Sequence, residues 1–180
     1  MRKSNKETAV ESTETKNQVR LSGRLLSLAL RVGLIIVVLA IVFGVVFGLK
    51  RMPTALMQPA MQEGDLLLYY RLDRNFQLGD VVIAKHDGKE RVLRIVALAG
   101  QTVDITEEGQ LLIDGYPEAT ETYYQTAKLD EVKYPYRVQE GEVFLVGDYR
   151  EAVDDSRKFG AVSKTELKGK VIGRFQVRNL

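Results

Sequence analysis

Eighteen consecutive residues without a charge, VGLIIVVLAIVFGVVFGL from Val32 to Leu49, constrain this chain more than any other feature. As a helix rising 1.5 Å per residue they cover about 27 Å, close to the hydrocarbon thickness of a bilayer, and Leu25 to Leu30 lengthen the run. A spanning anchor over 25–51 is expected. The competing reading is a cleavable signal peptide, whose apolar region is usually about 7 to 15 residues and ends at a small-residue site. Only Pro53-Thr54-Ala55 hints at such a site. Residues 1 to 31 carry seven basic side chains against three acidic ones, whereas two basic residues, Lys50 and Arg51, follow the run. The positive-inside bias therefore predicts a single-pass protein of the cell membrane with a cytoplasmic N-terminus and everything after Met52 outside. Residues 1–24, polar and rich in Ser, Thr, Glu and Lys, read as a disordered cytoplasmic tail.

The rest has room for one folded unit, 52–180. Its balance is reversed, with 17 basic and 21 acidic residues after Met52. The positive excess thus lies on the tail and not on a folded surface, and a nucleic-acid partner is not expected. The absence of cysteine excludes disulfides, thiolate metal sites and a Cys nucleophile. A single histidine, His86, beside Lys85 and Asp87, reads as an ordinary loop residue; neither a metal site nor a cofactor is expected.

Short apolar segments recur between Gly-Asp, Asp-Gly and Glu-Gly pairs, the pattern of hairpins. Strands are expected at Leu66 to Arg71, Asp80 to Ala84, Arg91 to Leu98, Thr102 to Ile105, Leu111 to Ile113, Val143 to Val146 and Val171 to Val177, with a turn at Glu107-Glu108-Gly109. Thr120 to Lys133 has no clean period; a helical turn, a loop and an excursion from the sheet all remain open. The fold class is mainly β.

Four blocks then agree in order with one family. Met57-Gln58-Pro59-Ala60-Met61-Gln62-Glu63-Gly64-Asp65 resembles the Ser-Met-x-Pro-Thr-Leu-x-x-Gly-Asp box of type I signal peptidases, the S26 family. Gly79-Asp80-Val81-Val82 with Val92-Leu93-Arg94-Ile95-Val96-Ala97-Leu98-Ala99-Gly100 resembles its Gly-Asp-x-Val segment and the strand that follows. Ile113-Asp114-Gly115-Tyr116-Pro117 is similar to its Ile-Asn-Gly-x-Pro hairpin. Gly147-Asp148-Tyr149-Arg150-Glu151-Ala152-Val153-Asp154-Asp155-Ser156-Arg157-Lys158-Phe159-Gly160 matches its last box at most fixed positions. The resemblance implies an antiparallel β domain on the outer membrane surface with a cleft for an extended peptide.

It also implies a serine nucleophile activated by a neutral lysine. At those positions this chain has Leu56 and Leu93, and Val153 stands where a hydroxyl would support the lysine. Arg94 cannot act as the base, because a guanidinium does not deprotonate in proteins. Thr54 lies two residues from Leu56, roughly 6 to 7 Å along an extended chain, too far to replace the attacking atom. The six serines are Ser4, Ser12, Ser22, Ser27, Ser156 and Ser163, and Ser156 sits in a supporting position of the last box. Ser/Lys proteolysis is therefore not expected. Thr54, Leu56, Met57, Pro59, Leu93 and Val153 would line a non-catalytic peptide cleft, and Asp148, Arg150, Asp155, Ser156 and Arg157 form a structural box. Asp155 and Arg157 are expected to pair, and Asp148 and Arg150 likewise, with solvated loop charges as the alternative.

The chain is similar to the dyad-lacking signal-peptidase-like factors of Gram-positive pilus clusters. That implies an accessory factor holding an exported protein or pilin subunit, with a sortase as a further partner. Two alternatives differ in class. One is an active membrane serine endopeptidase processing exported preproteins through Thr54 or Ser156. The other is a purely structural homologue whose cleft is filled by Leu56 and Leu93.

Overall fold

A computed structural model describes residues 26–118 and 124–176; the expected tail, 1–24, lies outside them. The chain divides into two compact units at Gly44/Val45. A helix, α1, covers Leu26–Val46, and its last residues, Val42–Val46, widen into a π-turn. Its apolar side chains point outward all round, with Leu34 65% and Ile36 59% exposed. A helix apolar on every face needs an apolar surround, as a bilayer provides. Strand β1, Phe47–Arg51, takes the last five residues of the expected 25–51 anchor. Their backbone pairs from Phe47↔Tyr70 to Arg51↔Leu66.

The remaining strands are β2 (Leu66–Tyr70), β3 (Val81–His86), β4 (Lys89–Leu98), β5 (Thr102–Ile105), β6 (Leu111–Ile113), β7 (Tyr116–Pro117), β8 (Tyr136–Arg137), β9 (Glu142–Val146), β10 (Val162–Ser163) and β11 (Leu167–Phe175). A seven-stranded sheet runs β1-β2-β11-β3-β4-β9-β10 and a four-stranded one β7-β6-β5-β8, with antiparallel pairing throughout. The domain is mainly β, as the punctuation of the sequence predicts. Three strands of two residues each, β7, β8 and β10, are too short to show a period and were not foreseen, and β1 was not foreseen because its residues read as the end of the anchor. β11 starts at Leu167, four residues earlier than expected, because a register shift at Leu167/Gly169 lets this polar stretch still pair with β3. His86 ends β3 instead of lying in a loop. It stacks on Phe159 with ring centroids 4.7 Å apart, and its Nδ1 lies 3.0 Å from Glu166 Oε1.

Alternation along the strands sorts their side chains into three apolar clusters. On β3, Val81 and Ile83 join one cluster with Met52, Met57, Leu67, Tyr69 and Val92. Val82 and Ala84 join another with Leu56, Phe76, Leu93, Ile95, Leu145 and Leu167. On β9 the split repeats: Val143 and Leu145 face that second cluster, while Phe144 and Val146 meet Val103, Ile105 and Leu111 of the small sheet. Strands buried on both faces need near-continuous apolar runs, which explains VVIA of β3.

The large sheet curls. β1 and β4 are separated by three strands, so a flat sheet would hold them about 19 Å apart at ~4.8 Å per step. Yet Lys50 of β1 donates to Glu90 of β4, and Lys168 of β11 donates to the same carboxylate. Lys50 lies opposite Leu67, so this triad sits on the face that carries the Met57/Leu67 cluster. Opposite Tyr69 on the neighbouring strand stands Gly48, where a Cβ would lie 2.2 Å from the Tyr69 ring.

Candidate functional site

Leu56 and Leu93, at the positions the resemblance gives to the dyad, fall in the same apolar cluster. Leu93 is fully buried and Leu56 is 6% exposed. Leu93 is there because β4 pairs it with Val82 of β3, and its neighbours Val92 and Arg94 consequently point to the opposite face. Val153 is half-buried in the middle of the last box, next to Ala152, which packs on the cluster. Met57 does not join them. It is fully buried in the other cluster, with Met52 and Val92, while Thr54 and Pro59 are exposed.

The backbone at Leu56 is clamped. Tyr149 N donates to Leu56 O at 2.9 Å, and a Cβ on Gly147 would sit 2.6 Å from that oxygen. Only glycine permits so close an approach of two main chains. The last box is held in turn by buried charge. Asp155 and Arg157 are both fully buried and pair through Arg157 Nε to Oδ1 at 2.9 Å and Nη2 to Oδ2 at 2.7 Å. Oδ2 also accepts from Gly147 N at 3.1 Å, and Oδ1 from Arg157 N at 3.1 Å. Arg157 Nη1 donates to Arg150 O at 2.6 Å. Four donors on one carboxylate offset the desolvation that an isolated buried ion would suffer. The expected pair therefore exists, but not because the segment is extended: Asp155 is the N-cap of a short helix, α2 (Ser156–Phe159). Ser156 Oγ accepts from Leu145 N at 3.0 Å inside the core, tying α2 to β9.

The expected Asp148–Arg150 pair is not made. Adjacent turns send the two side chains to different elements. Asp148 receives Arg94 of β4 through Nε at 2.7 Å and Nη2 at 2.6 Å, and this bidentate contact holds the Arg94 pKa above its ordinary value. Arg150, fully buried, donates through Nη2 to both oxygens of Glu118, at 3.0 and 2.7 Å. Neither charge is a solvated loop charge. The sequence reading missed Glu118 and the second arginine pair, Arg91 Nη2 to Asp154 Oδ1 at 2.9 Å, which lowers the Asp154 pKa. Glu118 follows the Gly-Tyr-Pro hairpin directly, the single local cue available. Within the expected excursion, the described residues from Tyr124 onward form no helix or strand. Thr126 N donates to Gly109 O at 2.8 Å, and Tyr124 meets Tyr149 edge-on at 5.0 Å, so this segment joins the small sheet to the last box.

The sequence matches a known family. The sequence profile described as signal peptidase, peptidase S26, aligns with residues 25–176. The chain belongs to this family. A probable signal peptidase I-1 of Synechocystis is 28% identical over 137 residues, 69% of this chain and 68% of that protein. A signal peptidase I of Bacillus licheniformis is 32% identical over 128 residues, 63% of this chain and 68% of its own length. Among solved structures, a signal peptidase I of Enterococcus faecalis superposes with a TM-score of 0.46 at 24% identity, covering 54% of this chain and 97% of that one. Signal peptidases act on exported preproteins, and the N-terminal apolar helix is consistent with the membrane anchor typical of signal peptidase I.

Proposed function

We propose that this signal peptidase I family protein is non-catalytic and holds an exported polypeptide at the outer face of the membrane, with its N-terminus in the cytoplasm. In its narrower form the proposal names a pilin subunit as the cargo and a sortase as a further partner. The carrying observation is the burial of Leu93 and Leu56 together in one apolar cluster. A leucine in that setting supplies neither nucleophile nor base. The described serines give no substitute there: Ser156 Oγ is engaged by Leu145 N, Ser163 caps a 3-10 turn, and Ser27 lies in α1. Peptide binding by main-chain pairing and side-chain pockets requires no such groups.

The test is a preprotein-cleavage assay on the full-length protein in lipid, beside a Leu56→Ser/Leu93→Lys variant whose folding is followed by thermal melting. The expected result is saturable binding of the preprotein by the native chain with no product. Gain of cleavage by the double variant would show that the cleft still accepts signal-peptide-like segments. Turnover by the native chain would overturn the proposal and direct attention to Thr54 and Ser156; absence of binding would overturn it as well.

A further inference from the structure

A cavity of about 430 Å³ is lined by Arg74, Phe76, Lys164 and Thr165. Its floor is apolar, since Phe76 is 4% exposed and belongs to the Leu56/Leu93 cluster. Its wall carries two cations and no acid. Arg74 is fixed by donating Nη1 to Leu167 O at 2.6 Å, leaving further guanidinium donors free to point elsewhere. Lys164 pairs with no carboxylate among the described residues. The nearest acids in sequence are committed: Asp73 lies 3.2 Å from Lys170 and caps Asn75 N, and Glu166 meets His86 and Ser163 N. Two like charges sharing one wall repel unless an anion lies between them. Thr165 Oγ1, 2.8 Å from Ser163 Oγ, adds a hydroxyl to the same rim.

We infer that Arg74, Lys164 and Thr165 form a binding site for a phosphate group. An arginine fork, an ammonium and a hydroxyl match the several oxygens of a phosphate better than the two of a carboxylate. The source is a lipid headgroup. Arg71 N donates to Val46 O at 3.0 Å, and Val46 is the last residue of α1. Arg74 is three residues further, within about 11 Å of chain. Leu72 between them is 56% exposed. The source of the phosphate rests on the anchor reading; the existence of the site does not.

The experiment titrates the full-length protein, in a nonionic detergent, with inorganic phosphate and separately with a short-chain phosphatidylglycerol, and compares it with Lys164→Gln. That side chain makes no hydrogen bond or ion pair among the described residues, so the variant is expected to melt with the native protein. The expected result is saturable binding of the phospholipid, weakened about tenfold in Lys164→Gln, the scale of one charge-assisted hydrogen bond. Equal binding of inorganic phosphate, weakened likewise, supports the site and assigns it to free phosphate. No saturable binding of either probe, or binding unchanged by Lys164→Gln, overturns the inference whatever the outcome of the cleavage assay.

Discussion

Two neighbouring regions of this signal peptidase scaffold have gone opposite ways. Leu56 and Leu93 lie in an apolar cluster; the Gly147–Gly160 box buries Arg150, Asp155 and Arg157 completely. The first region is where the family resemblance places reacting groups, and the second holds that region's backbone in place through Gly147, Tyr149 and Leu56 O. Buried ion pairs give little net stability, but removing one partner strands the other. A chain can therefore exchange reactive side chains for leucine at small cost while the charged frame resists change.

The sharpest way to break this comparison is Arg157→Ala. It leaves Asp155 buried and unpaired, and a loss of about 3–5 kcal/mol in denaturant melts is expected; a loss below about 1 kcal/mol would show that the box is no frame at all. Leu93→Ala should cost about 3 kcal/mol, the usual scale for a buried leucine. A near-neutral result would mean that an open cleft, not a packed core, lies at this position. Gly147→Ala tests the contact between the two regions. Its Cβ cannot coexist with Leu56 O at 2.6 Å, so about 1–3 kcal/mol is expected, together with weakened preprotein binding.

The smallest effect belongs to the Lys50–Glu90–Lys168 triad. Hydrogen bonds from Lys168 and Lys50 lower the Glu90 pKa from 4.5 to about 2. Because the folded value is depressed, the contribution is complete above pH 4.5 and is lost as pH falls through about 2. Glu90→Gln should cost no more than about 1 kcal/mol at pH 7, given how open the triad is to water. The gap between native and variant stability should close across that acidic window. A gap independent of pH would mean that the charge on Glu90 is not what the variant loses.

Much of the β domain was legible because hairpins are local. The Glu107-Glu108-Gly109 turn returns β5 onto β6 with Ile105 opposite Leu111, and both the strands and the turn show in the order of residues. The short strands β8 and β10 were not legible. Two residues make no period, and their pairing with β5 and β9 depends on long-range register. The same limit applies to the site. Asp155 and Arg157 stand two residues apart at the start of α2, near enough in the chain for a pair to be expected from the sequence. Asp148 and Arg150 find partners 54 and 32 residues away, on elements whose placement no local pattern encodes.

By itself, then, the sequence determined the N-terminal apolar helix, the β class and the family, together with the leucines at positions 56 and 93, because these depend on residue type and short spacing. The tertiary structure decided which charges pair, that the large sheet curls until Lys50 reaches Glu90, and that Arg74 and Lys164 share one cavity. Each of these joins residues far apart in the chain, and such contacts follow from sheet register and twist, which are set by the packing of the whole domain.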